Sequence, residues 1–393
     1  MRTPLAWKNL TSSWSKCFLA GSGVGFAVVL MFMQIGFRNA LIDSNVQVIS
    51  LFDTQLAQLA VVSRARYSLG TEQRFSRGLL DSIAAMPEIA RIGVVNLERG
   101  TAQVQVAGRP ARPIRVVAVN AAAIDFFSDR QLRQQLLLAS AEGACLVDRE
   151  SKAFFGFERE EKRLRSQVIE LNGKSLKAWG LFRLGTDFAN DGTLLMNDRL
   201  HETFFPWRWP SRRPGDNVDV ALLSTNSDSL QSIEELCQRI HAIAPDQIRV
   251  QTTQQLVEAE KDFWRRATPI GKIFLIGTLM GLIVGAIICY QIQFTDISDH
   301  MSEFATLKAM GYSHGFFWRF ILQQSFYLAC LGFVPGLAVS LVLYWLLANS
   351  SGLIMALTWD RVLLVWLLTL AMCLVSGALA IRKLFRSDPA SLF

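Results

Sequence analysis

The residues whose types and spacing come nearest to doing chemistry are Gly173-Lys174-Ser175, His201-Glu202 and six cysteines. A phosphate-binding loop needs a glycine five residues before the Gly-Lys-Ser run, so that backbone N–H groups can curl around phosphate, and Val168 stands there. His201-Glu202 opens like a zinc-protease helix, but Phe205 occupies the position of the second ligand. The four histidines are scattered, with no Cys, Asp or Glu at metal-ligand spacing, and read as solvated surface side chains. No G-x-S-x-G elbow offers a serine nucleophile. Cys17, Cys289, Cys330 and Cys373 lie in apolar runs, where a thiol serves as a small hydrophobe. Only Cys145 and Cys237 could pair in an oxidising compartment, with two buried free thiols as the alternative. These readings predict no catalytic residue, no cofactor site and no metal site on this chain.

The elements that carry these residues are set by hydrophobicity. Of 393 residues, 51% are hydrophobic and 19% charged, which fits a membrane protein with a soluble part. The net charge of +7 comes from basic residues spread along the chain and flanking apolar runs, so it speaks for membrane orientation and against nucleic acid. A bilayer core takes about 20 apolar residues in helical form, because every backbone polar group must be satisfied within the segment. Four stretches qualify: Cys17 to Phe37, Ile273 to Thr295, Ser325 to Leu347 and Val362 to Ile381. Asn349, Ser350, Ser351 and Gly352 break the long uncharged tract after Phe320 and separate the third span from the fourth.

Lys and Arg in short flanks stay on the cytoplasmic side. Arg2, Lys8 and Lys16 at one end, and Arg382, Lys383 and Arg386 at the other, put both termini on the cytoplasmic side of the membrane, expected to be a bacterial inner membrane. The first apolar run exceeds a signal-peptide core and lacks an A-x-A site, so it reads as a retained anchor. The expected layout has an amphipathic N-terminal helix at 1–16, a first span at 17–38 and an outside domain at 39–268. A second span at 269–295, a cytoplasmic loop at 296–319, a third span at 320–348, a short outside loop at 349–360, a fourth span at 361–385 and a cytoplasmic tail at 386–393 complete it. The fold class is thus an α-helical membrane protein with four transmembrane helices, one plus three, and a large α+β periplasmic domain inserted between helices 1 and 2.

Within the outside domain, helical spacing over Arg74 to Met86 precedes alternating strands at Ile89 to Asn96, Thr101 to Ala107 and Pro113 to Asn120. Val218 to Leu223, Ser229 to Ala244 and Gln247 to Thr252 read as strand, helix and strand, with a second subdomain over about 121–214. Gln254 to Arg266 reads as a helix leading towards the second span. The four apolar stretches lack Asp, Glu, Lys, Arg and His, which argues against a proton or ion path. Gln34 suits pairing between helices, Gln323 and Gln324 suit solvation at the interface, and Pro335-Gly336 should kink or break the third span. Gly277, Gly281 and Gly285 fall on one helix face, a candidate dimer face or a packing face within the subunit.

The cytoplasmic loop carries Glu303-Phe304-Ala305-Thr306-Leu307-Lys308-Ala309-Met310-Gly311-Tyr312, a short amphipathic helix stopped by glycine, with Phe304, Leu307 and Lys308 sharing one face. Such a helix suits docking into a groove on a separate subunit, or lying on lipid headgroups. This run resembles the loop after the second span of FtsX and MacB type permeases, which have the same one-plus-three layout. The first span and its exit, Leu30-Met31-Phe32-Met33-Gln34-Ile35-Gly36-Phe37-Arg38-Asn39-Ala40-Leu41-Ile42-Asp43-Ser44, resemble the DevC branch, and Asp388-Pro389-Ala390 is similar to the family's ending.

The resemblance implies an FtsX-like permease region over 269–393 and the permease subunit of a mechanotransmission ABC exporter. It implies a homodimer, a separate cytoplasmic ATPase that binds the ATP and Mg, a periplasmic adaptor, a TolC-like outer-membrane channel, and lipid-like or other amphiphilic cargo. Glu303 to Tyr312 would be the ATPase-coupling helix. The same layout also serves FtsX-like signalling scaffolds that activate a periplasmic cell-wall hydrolase, and lipoprotein-extraction permeases.

Overall fold

In a computed structural model the protein is described over residues 14–187, 189–208, 216–226, 230–267, 269–351, 355 and 357–386. The expected N-terminal amphipathic helix and the Asp388-Pro389-Ala390 ending lie outside the described residues. The chain divides into a helical unit, Met1–Ala40 with Pro269–Ala348 and Met355–Phe393, and an α+β unit, Leu41–Thr268 with Asn349–Ile354.

Helix α1 (Trp14–Ser50) opens the described chain. The α+β unit continues with β1 (Leu59–Ser63), β2 (Phe75–Ser76), α2 (Gly78–Ala84), β3 (Ile89–Glu98), β4 (Gln103–Val106), β5 (Arg112–Pro113), β6 (Arg115–Val119), α3 (Ala121–Ile124) and α4 (Arg130–Ala141). Then come β7 (Ala144–Asp148), α5 (Glu161–Ser166), β8 (Ile169–Leu171), β9 (Lys174–Phe182), β10 (Thr193–Asn197) and α6 (Asp198–Phe204). It ends with β11 (Asn217–Val218), β12 (Val220–Thr225), α7 (Leu230–Ile243), β13 (Ile248–Thr252) and α8 (Thr253–Arg266). The helical unit adds α9 (Pro269–Asp299), α10 (Met301–Ala309), α11 (His314–Ser351) and α12 (Trp359–Arg386).

Among the described residues, four helices are long and apolar enough to cross a membrane, over Ala20–Ser50, Gly271–Asp299, His314–Ala348 and Trp359–Arg382. The large α+β domain stands between the first and second. Two helices outrun the limits expected from charge and polarity. α1 continues from Phe37 to Ser50 because no glycine or proline interrupts it, and Ser44 and Asn45 turn their side chains back onto the Leu41 carbonyl, at 2.9 and 2.7 Å. α11 runs through Pro335 and on past Asn349 and Ser350 to Ser351, the last described residue before Gly352. A proline is accommodated where neighbouring helices re-satisfy the freed backbone.

The α+β unit is built on one mixed sheet in the order β13-β1-β12-β3-β6-β10-β7-β9-β8-β4-β5. Pairs β6/β10 and β7/β9 are parallel and the other neighbouring pairs of this sheet antiparallel. The stretch expected as a second subdomain is continuous with the rest, since Thr193–Asn197 pairs in register with Arg115–Val119. Side chains alternate between cores as a period of two demands. Leu59 and Val61 join Ile83, Leu236 and Ile240 of α2 and α7, while Ala60 and Val62 join Phe126, Phe127 and Leu136 on the other face. Val116 and Ala118 face a third core with Cys145, Ile169 and Phe205. Gly173-Lys174-Ser175 resolves into an ordinary hairpin, with Asn172 and Gly173 both at positive φ, 51° and 74°, in the turn between β8 and β9.

Candidate functional site

The loop between the second and third membrane-length helices does form a helix, α10, and ends where the backbone turns left-handed at Gly311, φ 91°. Its apolar face is not free. Phe304 and Leu307 pack against Ile297 of α9, Phe317 and Ile321 of α11, and Ala380 and Ile381 of α12. The Phe304 ring lies 5.6 Å from that of Phe320 and 5.9 Å from that of Phe317, both edge-on. The face left to solvent holds Ser302, Glu303 and Thr306, and just beyond the helix Met310 and Tyr312 are 64% and 46% exposed. The side chains of Ala305, Lys308 and Ala309 lie outside what is described. Amphipathic spacing located the element, but the face presented outward is the opposite of the one expected to dock.

Behind α10 the helices are tied by a polar node. Ser325 Oγ donates to Gln293 Oε1 at 2.8 Å, and Gln293 Nε2 donates to the Cys373 carbonyl at 3.1 Å, joining α9, α11 and α12. Gln324 donates to Asp296 and is 2% exposed. Gln324, expected to be solvated, is therefore a buried interhelical ligand of the carboxylate, a relation between two distant segments that span-by-span reading does not reveal. Gly377 makes the node sterically possible, since a Cβ there would stand 2.4 Å from Ser325 Oγ and 2.5 Å from Gln293 Oε1.

The glycine stripe of α9 is filled from within the chain. A Cβ at Gly277 would meet Gln34 at 2.6 Å and one at Gly285 would meet Ala27 at 2.6 Å, while Gly281 sits over Leu30. Of the two roles expected for Gly277, Gly281 and Gly285, these contacts are those of packing within the subunit. A second close approach was missed. Gly332 and Gly336 of α11 face Val24, Gly25 and Val28 of α1, with Cβ distances of 2.4 Å to Val24 and 2.8 Å to Val28. Tyr344 donates to the Phe32 carbonyl at 2.5 Å across the space that Gly36 leaves open. Their signal was Gly332-x-x-x-Gly336, the same small-residue spacing.

In the α+β unit, charge is buried in a way composition did not foretell. Asp219 takes Arg66 Nη2 at 2.6 Å, Arg208 and the Leu97 N–H at 3.0 Å, and is fully buried. Arg208 also donates to Glu98 at 2.6 Å. His201, expected on the surface, is buried beside Glu98 at 3.4 Å. Burial would raise the Glu98 carboxyl, but the His201 hydrogen bond, the Arg208 charge and the Thr101 hydroxyl outweigh it and hold the carboxyl at about 2. Burial pushes His201 below its usual 6.5, against the Glu98 hydrogen bond. Cys145 and Cys237 are free and sit in different cores, and burial raises them to about 12 and about 11. Within the helical unit the thiols of Cys289 and Cys373 approach to 3.5 Å. Among the described residues no group of three His, Cys, Asp or Glu side chains could hold a metal.

No curated protein matches the sequence. Among solved structures, the periplasmic region of MacB from Actinobacillus actinomycetemcomitans is similar at 7% identity, over 52% of this chain and 92% of that one, with a TM-score of 0.36. The extracellular domain of the noncanonic ABC-type transporter YknZ from Gram-positive bacteria is similar at 8% identity, over 50% and 98%, with a TM-score of 0.33. A permease-protein domain from Porphyromonas gingivalis gives 12% identity, 51% and 91%, and a TM-score of 0.33. Likeness at this level carries no functional information. The sequence itself matches the FtsX-like permease C-terminal family over residues 274–389, a range that takes in α10, the polar node and both flanking helices. Residues 274–389 thus carry the sequence signature of an FtsX-like permease C-terminal region.

Proposed function

We propose that this chain is the membrane subunit of an ATP-driven ABC exporter of the DevC type, working as a homodimer with a separate cytoplasmic ATPase. The observation that carries this reading is α10, a short helix inside the FtsX-like region whose inner face is anchored to three spans and whose outer face offers Glu303 and Thr306, continued by exposed Met310 and Tyr312 in the segment that follows. A helix fixed on one side and open on the other suits transmission of a push into the spans. With Glu303 to Tyr312 on the cytoplasmic side, both termini are cytoplasmic and the α+β domain is periplasmic. ATP and Mg are bound by the partner ATPase, and its closure tilts spans two and three and moves the outer domain. Amphiphilic cargo leaves through a periplasmic adaptor and a TolC-like channel. The uncharged stretches 273–295, 325–347 and 362–381 within the spans support a linkage over a conduit.

The test is purification of the tagged chain from its native membrane, with identification of bound proteins and assay of ATP hydrolysis. An ABC ATPase and an adaptor-type protein are expected. Absence of any ATPase overturns the reading, and an ATPase with a cell-wall hydrolase in place of the adaptor overturns export in favour of signalling.

A further inference from the structure

We propose that a cleft in the α+β unit binds an anionic amphiphile, a phosphate- or carboxylate-type headgroup on an apolar chain. The cleft has a volume of about 460 Å³ and opens where the end of α1, the start of α4 and the ends of β7 and β9 converge. That volume falls within the range of about 300–1,000 Å³ in which small ligands are held. Three arginines line it: Arg149, Arg159 and Arg183.

The arginines are unequal. Arg183 pairs with Glu150 at 3.0 Å. Arg159 gives one N–H to the Ser151 carbonyl at 2.7 Å and meets no carboxylate among the described residues. The exposed Arg149 guanidinium makes no ion pair or hydrogen bond among the described residues. The two acidic residues of the wall are engaged elsewhere, Asp129 with the Gln131 N–H at 2.8 Å and Glu161 with Arg165 at 4.0 Å. Two guanidiniums with unused donors therefore border one cavity, and a guanidinium fork fits a phosphate or carboxylate bidentately. Beside them, Leu51, Leu132, Leu181 and Phe182 supply apolar surface. An inorganic anion would use only the first feature and a neutral lipid only the second, so one ligand carrying both groups accounts for the whole lining.

The role of this ligand as cargo rests on the export reading, whereas its binding does not. The test uses the full-length chain in a neutral detergent, with a fluorescent anionic lysophospholipid as probe and a zwitterionic lysophospholipid of the same chain length and inorganic phosphate as competitors. The anionic probe is expected to bind at least 10-fold tighter than the zwitterionic one. Arg149→Gln with Arg159→Gln should weaken it by 10-fold or more. Gln135→Trp, which fills the cleft, should abolish binding while the melting temperature stays unchanged. Equal affinity for the two lipids, full displacement by millimolar phosphate, or undiminished binding in the variants overturns the proposal. The assay contains no ATPase, so its outcome is separate from whether an ATPase co-purifies with the chain.

Discussion

Glu260 accepts a hydrogen bond from the hydroxyl of Ser68 at 2.7 Å, across 192 positions of sequence. The same carboxylate takes the Leu69 N–H at 2.8 Å and the Trp264 indole at 2.8 Å, and is 3% exposed. α8 begins with a full capping box at Thr252 and Gln255 and is clasped midway by this carboxylate onto the loop after β1. α8 is also the last helix of the α+β unit before the second span begins at Pro269. Removing the side chain takes the acceptor from two buried donors, the Ser68 hydroxyl and the Leu69 N–H, each buried orphan costing about 1–3 kcal/mol. Glu260→Ala should therefore lower unfolding stability by on the order of 3 kcal/mol. Thermal unfolding of the purified chain checks it, and an unchanged melting temperature would show that water replaces the carboxylate.

Acid should loosen the α+β unit in two stages. The folded value of His201 lies below 6.5, so the unfolded chain binds this proton first, and stability is lost as pH falls below about 6.5. Glu98 is held at about 2 against 4.5, so its contribution is complete above 4.5 and is lost as pH falls towards 2. Circular dichroism at fixed temperature against pH should show both losses. His201→Gln should remove the upper one and shrink the lower, because the His201 hydrogen bond leads the interactions that hold Glu98 down.

The close approach of α1 and α11 has no room for a side chain. Gly332→Val should displace Val24 and cost about 1–3 kcal/mol, as overpacking does. Gly108, with open space around its Cβ position but φ 78°, is a useful contrast, because strain there would come from backbone and not from contact. Detergent melting curves of the two alanine or valine variants separate these causes.

Gly377→Ala should break the polar node, since its Cβ would stand within 2.5 Å of both Ser325 Oγ and Gln293 Oε1. Loss of that buried hydrogen bond costs about 1–3 kcal/mol. Adding Ser325→Ala removes the nearer clash, so partial recovery of stability in the double variant is expected.

Much of the layout was legible because membrane spans announce themselves over about 20 residues and strands by alternation. Helix ends were less so. Arg38 looks like a terminus, yet the following Leu41 to Ser50 stretch is equally helical and places Val48 and Ile49 in a core of the α+β unit. The candidate helix at 303–312 was legible as an element, but periodicity cannot say whether Phe304 and Leu307 meet a partner or their own spans. Long-range burial was invisible for the same reason: nothing near His201 in sequence signals Glu98, and nothing near Gln324 signals Asp296. The arginines of the cleft come from separate segments and carry no shared motif.

The central claim, that the outward face of α10 meets a separate ATPase, is tested most directly by a photo-crosslinking residue placed at Met310 or, alternatively, at Phe304 in the native membrane. The account predicts an ATPase adduct from position 310 and none from position 304, which is packed against Phe317 and Phe320. An adduct from 304 alone, or no ATPase adduct from 310, would contradict it.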